Sequence, residues 1–228
     1  LELSEIPDRL LVVGGGIIGV ELGTVYAALG SKVSIVEMLP GLIPPADRDL
    51  VKPLHNRLEK QFERIMVDTT VSEVQSENNC LTISFNPKNE NPFQDRYDKL
   101  LVSVGRTPNS TKLGLENTKV SLDGRGYIQV DHQRRTEEPS IFAIGDVIGS
   151  ALAHTASHEG SVAVEVITGH RSAFEPNAIP NVVYSDPEIA WCGLTEEDAK
   201  TNGREVKIIH PLLAPPLSYT HLTLPTKA

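Results

Sequence analysis

The sequence predicts an α/β protein whose parallel sheet is built from strand–helix–strand units. Three observations carry this. Two apolar runs, Arg9–Val13 and Lys32–Glu37, flank Ile17–Leu29, a stretch of small and apolar residues that suits a helix packed on a sheet. A glycine-rich turn, Gly14-Gly15-Gly16, joins the first run to that stretch. Gly30 then stands where a helix-terminating glycine belongs, just before the second run. Together these segments make one βαβ unit, which closes onto a parallel sheet.

The elements follow in order. Leu50, Leu54, Leu58, Phe62 and Ile65 form a helical stripe, predicting a helix over Asp47–Ile65, with Pro53 compatible only with its first turns or a kink. Val67–Val74 and Cys80–Phe85 read as strands, and the Asn- and Pro-rich residues 86–92 as a loop. Tyr97–Val104 is a further buried strand ending at "GRTPN", and Tyr127–Val130 a short one after the turn "DGRG". Ser140–Ile144 is a strand ending in "GD", and His154–Thr168 a helix stopped by Gly169. From Ile179 the character changes to two short strands broken at Asp186-Pro187. A helix follows, capped by Thr195 and Asp198 and ended by Gly203.

Composition excludes several classes of function. The chain has 228 residues, 39% of them apolar, and no run long enough to span a membrane as a helix. A net charge of −9 argues against nucleic acid as a partner. The two cysteines, Cys80 and Cys192, are far apart and form no CxxC or C-x4-C pair, which fits a reducing, cytoplasmic setting. No cluster has metal-ligand spacing. Both ends read as cut. Residues 215–228 lack periodicity, and "SYTHLTLPT" resembles translated sequencing-adapter read-through, so this tail is expected to be non-native.

The motif Gly14-x-Gly16-x-x-Gly19 carries the chemistry. In such a turn the first glycine permits the tight bend, the second lets a pyrophosphate approach the backbone, and the third lets helix pack on strand. The N–H groups opening the helix, with its dipole, favour the phosphates. Glu37, ending the second strand, can accept hydrogen bonds from two ribose hydroxyls and would repel a 2′-phosphate, which favours NAD over NADP. Glu21 has two readings: a dipole complement near the helix start, or a carboxylate near the nicotinamide. Asp146 closes an apolar strand at a predicted ligand crevice, where a carboxylate can accept hydrogen bonds from a polyol.

Gly14–Glu21, Glu37, "VGRTPN" (104–109), "IFAIGD" (141–146), "LAH…HEG" (152–160) and "IPNVVYSDPEIAWCGLTE" (179–196) occur in this order. Jointly they resemble the dihydrolipoyl dehydrogenase family of bacterial type, within the pyridine nucleotide-disulfide oxidoreductases. These are FAD-dependent E3 subunits of 2-oxo acid dehydrogenase complexes. The resemblance covers residues 1 to about 210. It implies a Rossmann-like NAD-binding domain inserted in an FAD-binding domain, followed by the start of an α+β dimerisation domain. On this chain that means a connection over 1–8, the NAD domain over 9–135, an FAD-domain return segment over 136–178 and the interface domain over 179–214.

The resemblance further implies that Gly14, Gly15, Gly16, Ile17, Ile18, Gly19, Val20 and Glu21 line the NAD pyrophosphate and nicotinamide ribose. Glu37 would hold the adenosine ribose, Val71 would pack beside the adenine, and Gly105, with Arg106, would approach the nicotinamide. Asp146 would hold the flavin ribityl chain, and Ala151, Leu152, Ala153 and His154 would run along the flavin. Ala151 replaces the family's usual Met, and the loop before His154 is one residue shorter. His154 and His158 are read as helix residues with local packing roles, not as bases. The family's redox cysteine pair and its His-Glu base fall outside this sequence. The implied partners are a second copy of the chain and the lipoyl domains and core of a 2-oxo acid dehydrogenase complex. Two other readings remain: a related flavin disulfide reductase or NAD(P) transhydrogenase, and an NAD-binding module without catalysis.

Overall fold

The computed structural model describes residues 3, 5–77, 80–150 and 152–208. Internal contacts divide the chain into two compact units, Leu1–Gly193 and Leu194–Ala228.

In the first unit, strand β1 (Arg9–Val13) leads through the glycine turn into helix α1 (Ile17–Ala28) and strand β2 (Lys32–Val36). Leu29 caps α1, and Gly30 follows at φ +105°, donating its N–H to Ala27 as a helix-ending glycine does. Helix α2 (Arg48–Gln61) ends before the predicted stripe does. Phe62 leaves it in extended geometry and Ile65 belongs to a strand absent from the prediction, β3 (Arg64–Met66). The apolar spacing carried across the helix end because Phe62 and Ile65 pack on the same core as α2.

β4 (Thr69–Glu77), β5 (Cys80–Pro87) and β6 (Phe93–Tyr97) follow, then β7 (Lys99–Val102). What reads in sequence as one strand over Tyr97–Val104 is therefore the end of β6 and all of β7. The loop predicted over 86–92 begins two residues later than predicted, since β5 runs through Pro87.

The sheet order β3-β2-β1-β7 is wholly parallel, with Leu10 opposite both Val33 and Lys99. β4-β5-β6 form a separate antiparallel sheet. β1 sits between two packed layers, which explains its unbroken apolar run. Leu10 and Val12 face a core shared with Val20 of α1 and Leu54 and Leu58 of α2. Leu11 faces Ile83, Phe85 and Tyr97 of the antiparallel sheet. Strands buried on both faces lose the polar alternation of half-exposed ones, and each such side chain contributes about 1.5–3 kcal/mol.

Arg9 ties the two sheets together. Its guanidinium donates to Glu63 at 2.8 Å, to both oxygens of Asp95 at 3.1 Å and to the Arg96 carbonyl, and it lies 4.8 Å from the Tyr97 ring centre. Burial works to raise the Asp95 carboxyl, but the bonds from Arg9 and the Arg96 N–H outweigh it and hold the group below its ordinary range.

Two predicted strands reduce to single bridges, Leu122 with Ile128 and Arg135 with Phe142. A 3-10 turn, Gly145–Ile148, follows the second at once. α3 (Ala153–Ile167) and the antiparallel hairpin β8 (Pro180–Val183) and β9 (Ile189–Cys192) complete this unit. In the second unit α4 (Glu196–Thr201) opens with the expected capping box between Thr195 and Asp198. Among the described residues no helix is long and apolar enough to cross a membrane. The tail assigned to 215–228 lies outside the described residues.

Candidate functional site

The three glycines of the turn meet three different environments. Gly14 adopts φ +104°, and a Cβ there would lie 2.5 Å from the Ser103 carbonyl oxygen. A Cβ on Gly19 would lie 2.0 Å from the Gly14 carbonyl oxygen, so α1 can rest on the turn only without a side chain. Around Gly16 a Cβ would meet nothing within 4 Å. The first and third glycines are thus required by the protein's own packing. The second is required by nothing in the protein, and its backbone faces open space at the N-cap of α1. That is the arrangement in which an external group can reach the amides opening the helix.

Glu37 lies at the tip of β2 and is 8% exposed. One carboxylate oxygen accepts the Gly15 N–H at 2.7 Å, and the other accepts the Leu39 N–H at 2.8 Å. The side chain therefore staples the glycine turn to the end of the neighbouring strand. A carboxylate has about four lone-pair positions, so acceptor capacity remains for hydroxyl donors.

A cleft of about 470 Å³ brings together Gly14, Gly16, Glu37, Val71 and Gly105 from distant parts of the chain. Met38, Leu39, Pro44 and Thr70 also line it, and the sequence reading did not single these out. The run of small and apolar residues after Glu37 was the available signal. Arg48 shapes this loop by donating to the carbonyls of Leu42, Ile43 and Ala46.

A larger cavity of about 980 Å³ is lined by Gly16, Ile17, Ile18, Glu21, Gly105, Arg106, Leu152, Ala153 and His154. Gly16 and Gly105 line both spaces, so the two adjoin at the glycine turn. Tyr127, Asn181 and Tyr184 are further wall residues that sequence reasoning missed. Gly19 and Val20 are buried within α1 and line neither space. Gly15 contributes through its bond to Glu37. Ala151 lies outside the described residues.

Glu21 is not in the first turn of α1, which removes the dipole-complement reading. Its carboxylate faces the larger cavity and accepts the Tyr184 N–H at 2.8 Å. Asp146 stands on the 3-10 turn beside a third cavity of about 490 Å³ lined by Gly105, Arg106 and Tyr127, and pairs with Arg106 at 3.0 Å. His154 meets the Pro180 carbonyl at 2.9 Å, and the His158 ring packs edge-on against Phe174, so both have local structural partners. Cys80 and Cys192 are free and sit on different strands. No group of side chains among the described residues could hold a metal ion.

Comparison with known proteins finds relatives of this chain. Residues 1–160 match the family described as pyridine nucleotide-disulphide oxidoreductase, and residues 179–220 match its dimerisation domain. A dihydrolipoyl dehydrogenase of Vibrio parahaemolyticus is 46% identical over 209 residues, covering 91% of this chain and 44% of that protein. One of Vibrio cholerae is 47% identical over 204 residues, covering 89% and 43%. Among solved structures, the HOCl-induced flavoprotein disulfide reductase RclA from Escherichia coli aligns with a TM-score of 0.79 at 28% identity, covering 91% of this chain and 47% of that one. LpdA from Mycobacterium tuberculosis aligns with a TM-score of 0.77 at 26% identity, covering 88% and 43%. The chain spans less than half the length of the curated relatives it matches. It belongs to the pyridine nucleotide-disulphide oxidoreductase family.

Proposed function

We propose that this chain provides the NAD(H) site and part of the FAD site of a dihydrolipoyl dehydrogenase, which oxidises dihydrolipoamide with NAD+. The observation that carries the reading is the open backbone at Gly16, flanked by the stapled carboxylate of Glu37 and continuous with the Asp146 side of the fold through Gly105. The amides opening α1 bind the cofactor diphosphate. Glu37 accepts the adenosine ribose hydroxyls, and Val71 flanks the adenine in the smaller cleft. Glu21, Gly105 and Arg106 border the nicotinamide in the larger cavity. Asp146 accepts hydroxyls of the flavin ribityl chain, and Leu152, Ala153 and His154 border the ring.

The residues present suit both groups chemically, with an anion-binding helix start, a ribose acceptor and an exposed carboxylate for a polyol. FAD, when bound, supplies two-electron transfer between a redox disulfide and the nicotinamide. The contribution of this chain is placement: it fixes the nicotinamide by its diphosphate and ribose and screens the reacting face with Ile17, Ile18 and Val182. The disulfide would come from residues outside this sequence, since Cys80 and Cys192 lack the required spacing. A homodimer forms through the domain that begins near residue 179, and the lipoyl domains of a 2-oxo acid dehydrogenase complex deliver the substrate.

Calorimetric titration of the chain with NADH and NADPH tests the reading. NADH is expected to bind at least about tenfold more tightly, since Glu37 faces any 2′-phosphate and tenfold corresponds to about 1.4 kcal/mol. Equal affinity for the two, or no binding to folded protein, contradicts it.

A further inference from the structure

Glu159 is a carboxylate in the middle of α3, 1% exposed, with no part in the reading above. One oxygen accepts the Gly145 N–H at 2.8 Å, and the other accepts the Ser150 hydroxyl at 2.5 Å. Arg134 approaches the second oxygen at 3.4 Å, and its guanidinium lies 4.2 Å from the Phe174 ring centre. A buried charge persists only when paired and hydrogen-bonded, and here one carboxylate meets both conditions.

The partners of Glu159 lie at the two ends of one turn. Gly145 and Ser150 bracket Asp146, and the turn closes through Ser150 N–H to the Gly145 carbonyl and Gly149 N–H to the Asp146 carbonyl. Gly145 takes φ +73° and packs against Ala156, where a Cβ would come within 3.1 Å. Arg134 holds a left-handed φ of +64°, an uncommon conformation for a non-glycine residue, and it is the residue that neutralises Glu159. The turn is thus anchored to the helix at both ends, leaving the Asp146 side chain outward at Arg106.

The geometry points to Glu159 as a positioning residue for Asp146: through Gly145 and Ser150 it fixes the turn that presents the Asp146 carboxylate to a polyhydroxylated ligand chain. This rests on the reading of Asp146 as a polyol acceptor. Replacing the carboxylate by an amide takes the acceptor from one end of the turn and the counter-charge from Arg134 without touching the ligand.

The test uses the 228-residue chain and its Glu159→Gln, Asp146→Ala and double variants, read by amide hydrogen exchange and by FAD titration followed through flavin fluorescence. Gln keeps the shape and one acceptor, so the fold is retained. In Glu159→Gln, exchange at Gly145, Gly149 and Ser150 is expected to rise about tenfold or more while Leu11, Val12 and Ile35 stay unchanged. FAD affinity falls about fivefold or more in that variant, and in the Asp146→Ala background Glu159→Gln adds less than about twofold. A simple packing role would give equal losses in both backgrounds, and that result overturns the proposal, as does exchange that rises evenly through β1 and β2. Asp146→Ala that binds FAD as well as wild type refutes the reading of Asp146 and the proposal with it, and where this partial site takes up no measurable FAD the exchange pattern decides alone, an unchanged pattern in Glu159→Gln refuting the positioning role. Normal FAD uptake with an unchanged exchange pattern in Glu159→Gln refutes the positioning role alone.

Discussion

Replacing Gly16 and Gly19 separately by alanine should split ligand binding from folding. At Gly19 the new methyl would sit 2.0 Å from the Gly14 carbonyl oxygen and 2.7 Å from the Ser103 hydroxyl. Relief requires α1 to lift off the turn by roughly 1 Å, and overpacking of this kind against backbone costs about 3 kcal/mol or more. At Gly16 the methyl meets nothing within 4 Å, and φ is −73°, which alanine adopts without strain. The stability cost there is that of alanine in place of glycine at an N-cap, about 1 kcal/mol or less. The same methyl would stand between the backbone and the diphosphate, and a loss of about 1.4–3 kcal/mol in binding corresponds to roughly 10- to 150-fold in affinity. Urea unfolding followed by circular dichroism gives the first quantity, and NADH fluorescence titration the second. Gly16→Ala that binds NADH like wild type would refute the assignment of the diphosphate to this turn. Gly19→Ala with an unchanged urea midpoint would refute the contact between helix and turn.

Further expectations concern the staple, the sheet junction and the missing chemistry. Glu37→Gln keeps one acceptor but turns an amide N–H₂ toward the other backbone donor, so stability should fall by about 1–3 kcal/mol and NADH affinity with it, measured by urea midpoint and titration. Glu37→Arg should move preference toward NADPH while losing the same staple, and unchanged NADH affinity in that variant would remove Glu37 from the ribose. Because the Asp95 carboxyl is held below its ordinary range, its contribution is fully present above about pH 4 and is lost as pH falls through the lowered value. Arg9→Met should therefore flatten the acid limb of stability against pH and leave NADH affinity at pH 7 intact. The chain supplied with FAD, NAD+ and dihydrolipoamide should show no turnover in an NADH absorbance assay, and reproducible turnover would contradict the placement of the disulfide outside this sequence.

The βαβ unit was legible because local and tertiary demands agree there. Glycines that only packing can explain, an apolar run buried on two faces and a terminating Gly30 all act within a few residues of one another. Where a stripe crosses an element boundary, legibility failed. Phe62 and Ile65 continue the spacing of α2 because the same core receives them, so the helix looked longer than it is and β3 went unseen. The strands read at Tyr127–Val130 and Ser140–Ile144 are apolar enough, but each finds a single bridging partner, which spacing along the chain cannot reveal. In the candidate site, Gly16, Glu37 and Asp146 were named from sequence because their chemistry is tied to strand ends. The second duty of Glu37 on Gly15, the Tyr184 N–H on Glu21 and the anchoring by Glu159 were not, since each joins residues by a contact that only the fold creates.

A crystal structure of this chain soaked with NADH and FAD tests the central claim most directly. The account predicts the NADH diphosphate against the amides opening α1 at Gly16 and Ile17, with the adenosine ribose at Glu37. A flavin diphosphate lying on Gly14–Gly19, or NADH bound away from Glu37, would contradict it.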